Sequence, residues 1–116
     1  MRTRELHEDG LAILAIEGEI DLSCSPELRA ILRGYTKAKC PALILDFKDV
    51  AYVDSSALAT LIEYVRDAQA FSGRLAIVQM NERVRTIFDI VRLGEFLPIH
   101  PTIADAKAAL LVPPSA

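Results

Sequence analysis

The segment VAYVDSSALATLIEYV, residues 50–65, places three small polar residues, Asp54, Ser55 and Ser56, inside an otherwise apolar run. These residue types have three chemical uses at such a position. The carboxylate and hydroxyls can cap a helix by accepting backbone N–H groups. A serine hydroxyl can act as a catalytic nucleophile, or it can lie on a surface that receives another protein. Since the triplet alone leaves these uses open, the surrounding sequence must decide between them.

The nucleophile use lacks the residues that normally support it. The triplet has none of the glycines of a G-x-S-x-G elbow, and the histidines are His7, in a predicted first strand, and His100, near a predicted edge strand. The sequence also has neither a P-loop nor a G-x-G-x-x-G fingerprint. We therefore predict that the chain is not an enzyme, and we assign it no catalytic residue, metal or cofactor.

Strand-like and helix-like patterns alternate along the chain. Short apolar runs predict strands, and apolar residues spaced three and four apart predict helices. The predicted strands are residues 3–7, 11–16, 42–45, 75–78 and 96–99, and the predicted helices are residues 25–35, 55–71, 82–94 and 102–110. Since strand and helix alternate, we predict an α/β fold with a mixed, mostly parallel sheet of about five strands and about four helices. Residues 1–112 are expected to form one domain, followed by a loose tail, 113–116.

The polar triplet follows a predicted central strand and opens a helix, at the sheet edge where α/β proteins place their sites. The apolar spacing of this helix puts Leu58, Leu61, Ile62 and Val65 in the core. With the helix oriented so that these residues face the core, Ser56 is expected to face solvent and Ser55 to turn toward the core boundary. Ala57, Thr60 and Tyr64 then form an almost uncharged shoulder on the solvent side, which predicts a protein-docking surface. Capping by Asp54 remains an equally simple use of the first residue.

Charge and cysteine content exclude several classes of partner. The net charge of −3 gives no basic face for a phosphate backbone, so we predict no nucleic-acid binding. The longest apolar run, residues 11–16, is far shorter than a bilayer span of roughly 20 residues, so no membrane insertion is expected. Cys24 and Cys40 lack metal-ligand spacing and are expected to be free thiols.

Three segments carry a resemblance to a known family. VDSSALATLI, the upstream GEIDLSCSPELRAIL and the downstream NERVRTIFDIVRLGEFLPI together resemble the STAS domain family, and specifically the bacterial anti-sigma-factor antagonists. The resemblance covers nearly the whole chain in order and spacing. It implies a STAS-like fold and a cytoplasmic protein without catalysis of its own.

The resemblance also implies a function. The unphosphorylated protein would bind an anti-sigma factor, itself a serine kinase with a histidine-kinase-like ATPase domain, and so release a sigma factor. Phosphorylation of the second serine, Ser56, would break that complex, and a PP2C-type phosphatase would restore it. The expected partner-binding residues are Asp21, Asp54, Ser55, Ser56, Ala57, Thr60 and Tyr64.

Two points qualify this expectation. The family's usual glycine after the second serine is Ala57 here, and its methyl group is expected where a kinase would approach. STAS domains also occur in lipid-transport ABC complexes, sulfate-transporter tails and stress-signalling assemblies. A subunit of such an assembly, not switched by phosphorylation, is the alternative function.

Overall fold

A five-stranded mixed sheet forms the centre of the molecule in the computed structural model, which describes residues 1–8 and 10–111. Its strands are β1 Arg2–Glu8, β2 Leu11–Ile20, β3 Ala42–Val53, β4 Arg74–Val78 and β5 Ile99–His100. They lie in the order β1-β2-β3-β4-β5, in which only the β1–β2 pair is antiparallel. The predicted α/β class and the central place of β3 are confirmed.

Four α-helices cover the two faces of this sheet within the described residues. They are α1 Ser25–Lys37, α2 Ser55–Ala68, α3 Glu82–Ile90 and α4 Ile103–Leu111. Single 3-10 turns follow α2 at Gln69–Phe71 and α3 at Leu93–Glu95. No helix in residues 1–8 and 10–111 is long and apolar enough to cross a membrane.

The core divides into two parts because successive residues of a strand point to opposite faces. On one face, the β3 residues Leu43, Leu45 and Phe47 pack in a cluster that includes residues of α1, α2 and α3. On the other face, Ile44 packs in a smaller cluster that includes Ala106 and Leu110 of α4. The predicted core residues of α2, Leu58, Leu61, Ile62 and Val65, lie in the first cluster or pack against it, which confirms that prediction.

Several predicted ends were wrong. Helix α3 stops at Ile90 and not at residue 94, because Arg92 adopts a left-handed conformation with φ of 56°. The last strand is Ile99–His100 instead of residues 96–99, and the Phe96 side chain is 66% exposed. Helix α1 begins at Ser25 as predicted, after Cys24, which makes no side-chain cap, but it ends at Lys37 and not at residue 35. The predicted tail, 113–116, lies outside the described residues.

Candidate functional site

Helices α1 and α2 begin beside each other because they follow neighbouring parallel strands. β2 pairs with β3 as far as Ile20 and Val53, so both strands end at the same edge of the sheet. The backbone N–H of Asp54 donates to the carbonyl oxygen of Ile20 across this edge, at 3.2 Å. The polar triplet therefore lies against the β2–α1 loop, residues 21–24.

Asp54 caps α2, which was one of its expected uses, and its carboxylate also binds the β2–α1 loop. Its Oδ1 accepts the backbone N–H groups of Ser56 at 2.9 Å and Ala57 at 3.2 Å, and the Ser56 hydroxyl at 2.5 Å. Its Oδ2 accepts the N–H of Leu22 at 3.0 Å. These donors, with the Ser56 hydroxyl first among them, lower the pKa of the Asp54 carboxyl. One carboxylate thus joins the helix start to the neighbouring loop.

The two serines have the opposite exposure to the one predicted. Ser55 is exposed, whereas Ser56 is half-buried. The Ser56 hydroxyl oxygen lies 2.5 Å from Asp54 Oδ1 and 2.7 Å from the hydroxyl oxygen of Ser25 on α1. The prediction that Ser56 faces solvent and Ser55 the core boundary was therefore wrong. Ser56 is instead the serine held in a hydrogen-bond network.

The predicted exposed shoulder is also wrong, because its three residues are buried. Ala57, Thr60 and Tyr64 are 0%, 1% and 2% exposed. Thr60 and Tyr64 line a small cavity together with Leu32 and Thr36 of α1. Helix α2 packs against α1 as well as against the sheet. The buried side of the helix is therefore turned away from the predicted side, by less than the angle of about 100° between successive residues.

This burial changes the expected roles of the same three residues. The Ala57 methyl group points into the core, so it does not lie where a kinase would approach. The Thr60 hydroxyl donates to the carbonyl oxygen of Ser56 at 2.9 Å, one turn earlier in α2. Burial raises the pKa of Tyr64 to about 12, so its hydroxyl stays neutral. All three side chains are buried, so none of them is presented to a partner.

Ser25 is a site residue that the sequence analysis missed. Ser25 is 4% exposed, and its hydroxyl oxygen lies 2.9 Å from the carbonyl oxygen of Asp21 and 2.7 Å from the hydroxyl oxygen of Ser56. The sequence placed Ser25 at a helix start, where a cap was the natural interpretation. No pattern in the sequence signals that a second helix start lies opposite, so this contact required the tertiary structure.

Asp21, one of the expected partner-binding residues, lies in the loop that follows β2, near Asp54. Its Oδ1 accepts the hydroxyl of Ser23 at 2.5 Å and the N–H of the same residue at 2.9 Å. The Ser23 hydroxyl contributes most to lowering the Asp21 pKa, while repulsion from Asp54 opposes that shift. Leu22, between the two carboxylates, is an apolar side chain that is 72% exposed. The edge therefore presents negative charge around one leucine.

The histidines lie away from these serines along the chain and the sheet. His7 pairs with Ala12 near the start of β2, the opposite end from Asp21. His100 is on β5, two strands from β3. Among residues 1–8 and 10–111, no group of three His, Cys, Asp or Glu side chains could hold a metal ion.

Fold and site together define a small α/β domain with a hydrogen-bonded serine at a helix start. The model of the STAS domain family matches residues 4–106, and the chain belongs to that family. An anti-sigma F factor antagonist of Paenibacillus polymyxa is 24% identical over 107 residues, which cover 91% of this chain and 92% of that protein.

Two solved structures have the same fold. An anti-sigma factor antagonist from Mycobacterium paratuberculosis is 25% identical with a TM-score of 0.86, and the match covers 94% of this chain and 92% of that one. The Bacillus cell fate determinant SpoIIAA, solved in its phosphorylated form, is 18% identical with a TM-score of 0.70 and matches 94% of this chain and 99% of its own. The expected family is thus confirmed.

Proposed function

We propose that this chain is an anti-sigma-factor antagonist in which Ser56 is a phosphorylation switch. The observation that carries the proposal is the Ser56 hydroxyl at the start of α2, where it donates a hydrogen bond to Asp54 beside an exposed acidic loop. The relatives with the same fold are named as antagonists of anti-sigma factors, which supports this general role. The chain acts by binding and has no catalysis of its own.

The partner binds a surface smaller than the sequence predicted. We define the docking surface as Asp21, Leu22, Asp54, Ser55 and Ser56, since the other three predicted residues are buried. An anti-sigma factor with a histidine-kinase-like ATPase domain would bind here in the cytoplasm and phosphorylate Ser56. A PP2C-type phosphatase would reverse the modification.

Electrostatics explains how a phosphate on Ser56 would release the partner. The modification adds about −1.5 to −2 charges beside Asp21 and Asp54. It also removes the hydroxyl proton that Ser56 donates in its hydrogen bond to Asp54. The Ser56 oxygen and the Asp54 carboxylate, which are both acceptors, then face each other. The domain itself stays folded, because Leu58 and Leu61 anchor α2 in the core below the first turn. A partner fitted to the neutral hydroxyl therefore meets a strongly acidic surface.

The test compares three variants with a kinase of this class encoded near the gene. Ser56→Ala should not be phosphorylated but should keep binding, and Ser56→Asp should bind at least tenfold more weakly, about 1.4 kcal/mol. Ser55→Ala is the matched control and should still be phosphorylated. Mass spectrometry after incubation with ATP locates the phosphate, and calorimetry measures binding.

Ser55 is more exposed than Ser56 and is the other serine that a kinase can reach. The position of the phosphate therefore decides between the two serines. Phosphate on Ser55 would show that solvent access selects the serine and would refute the role of Ser56. If the kinase modifies neither serine, the chain is instead a constitutive subunit of a transport or stress-signalling assembly.

A further inference from the structure

The Ser56 and Ser25 hydroxyls take part in three close hydrogen-bond contacts but carry only two protons. Ser56 Oγ lies 2.5 Å from Asp54 Oδ1, Ser25 Oγ lies 2.9 Å from the carbonyl oxygen of Asp21, and the two hydroxyl oxygens are 2.7 Å apart. Each hydroxyl donates one proton. Three close pairs must therefore share two protons.

The carboxylate fixes where the first proton goes. An ionised acceptor forms the shorter and stronger bond, so the Ser56 proton points to Asp54. The Ser25 proton then has two acceptors, Ser56 Oγ and the carbonyl oxygen of Asp21. That carbonyl oxygen already accepts the backbone N–H groups of Cys24 at 3.1 Å and Ser25 at 3.0 Å. It is satisfied without the hydroxyl, so Ser25 is free to donate to Ser56.

We propose that Ser25 is part of the modification site: its hydroxyl holds Ser56 Oγ in the free protein and donates to the phosphoryl group once Ser56 carries one. This proposal rests on the proposed role of Ser56. The Ser56 oxygen becomes an ester oxygen on phosphorylation and loses its proton, so the bond to Asp54 is lost. The Ser25 hydroxyl keeps its proton and stays within reach of the modified side chain.

Burial explains why Ser25 can serve this purpose. At 4% exposure, its hydroxyl is shielded from competing water, and its oxygen is fixed by the first turn of α1. Ser25 is a positioning residue, because it acts through Ser56 and touches no substrate of its own.

The experiment uses the full chain with phosphoserine incorporated at position 56 during translation, so no kinase is needed. Phosphorus NMR follows the titration of the phosphate, whose second pKa is about 6 in general. Ser25→Ala should raise this pKa by about half a unit, which is about threefold in proton affinity, because a donor to the dianion is lost. Ser25→Thr retains a hydroxyl and should return the pKa toward the wild-type value.

Ser23→Ala is the matched control. Ser23 lies in the same loop, but its hydroxyl donates to Asp21 and not toward Ser56. It should leave the phosphate pKa unchanged. An unchanged pKa in Ser25→Ala, or equal shifts in the Ser23 and Ser25 variants, would overturn the proposal. Failure of any kinase to modify Ser56 would refute the proposed function but would not alter this titration.

Discussion

Replacing Asp54 by alanine removes the one carboxylate that joins α2 to the β2–α1 loop. Loss of an N-cap costs about 0.5–2 kcal/mol, and loss of the bond from the Leu22 N–H adds about 0.5–1.5 kcal/mol. Asp54 is only half-buried, so water can reach part of the freed groups. We therefore expect Asp54→Ala to lower the free energy of unfolding by about 2 kcal/mol.

Urea unfolding at neutral pH measures this loss, and Asp21→Ala is its control. The Asp21 carboxylate bonds Ser23 inside its own exposed loop and does not join two elements, so its removal should cost less stability than the removal of Asp54. If Asp54→Ala loses no more stability than Asp21→Ala, the stabilising role assigned to the Asp54 carboxylate is refuted. Such a result would mean that the carboxylate does not hold the loop to the helix.

The pH dependence supplies an independent check. The folded-state pKa of Asp54 is lowered, chiefly by the Ser56 hydroxyl, so the ionised carboxylate stabilises the fold. That contribution is fully present above the unfolded pKa of about 3.9 and is lost as the pH falls through the lower folded value. Asp54→Asn keeps a capping oxygen without the charge. The stability difference between wild type and Asp54→Asn should shrink on acidification below about pH 4, and a constant difference would contradict the assigned shift.

Three further predictions follow from burial and charge. Leu61→Ala should cost about 2–5 kcal/mol in urea melts, because the side chain is fully buried, and a loss below about 0.5 kcal/mol would contradict its place in the core. Asp21→Ala should weaken partner binding or phosphorylation with little change in thermal stability, and unchanged affinity and rate would leave Asp21 a loop residue. Tyr64→Phe should reduce the loss of stability between about pH 10 and 12, because a raised folded pKa makes Tyr64 destabilising as the pH rises through that window. Alkaline unfolding curves that coincide for wild type and Tyr64→Phe would rule this out.

The sequence predicted the sheet well because its strands have distinctive patterns. Residues 42–45 are apolar on consecutive positions, as a strand covered on both faces must be. Asn81 is of a residue type that favours helix starts, and its side chain caps α3 by accepting the N–H of Val84 at 2.8 Å. The end of α3 was harder to predict, since Val91 fits the apolar spacing but is half-exposed beyond the helix. Apolar spacing identifies a helix but does not identify its last residue.

The sequence predicted the start of α2 correctly, but it did not predict the geometry of the candidate site there. The phase of α2 was set from its large aliphatic residues, on the assumption that the helix buries one stripe against the sheet. Packing against α1 buries Thr60 and Tyr64 as well, and neither residue is a typical core residue by type. The error therefore came from a helix–helix contact, which depends on how strands pair and is not encoded in local spacing.

The hydrogen bonds at this site separate stability from recognition. Asp54 serves the helix cap, the neighbouring loop and the Ser56 hydroxyl at once, so we expect a substitution of Asp54 to change both the fold and the proposed binding. The Asp21 carboxylate bonds Ser23 within its own loop and contributes charge to the same surface, so we expect Asp21→Ala to report on recognition. Under the proposed function, phosphorylation of Ser56 would take one donor from Asp54 but leave the backbone bonds of its carboxylate in place. The proposed switch would therefore change the surface that a partner meets while the cap that holds α2 remains intact.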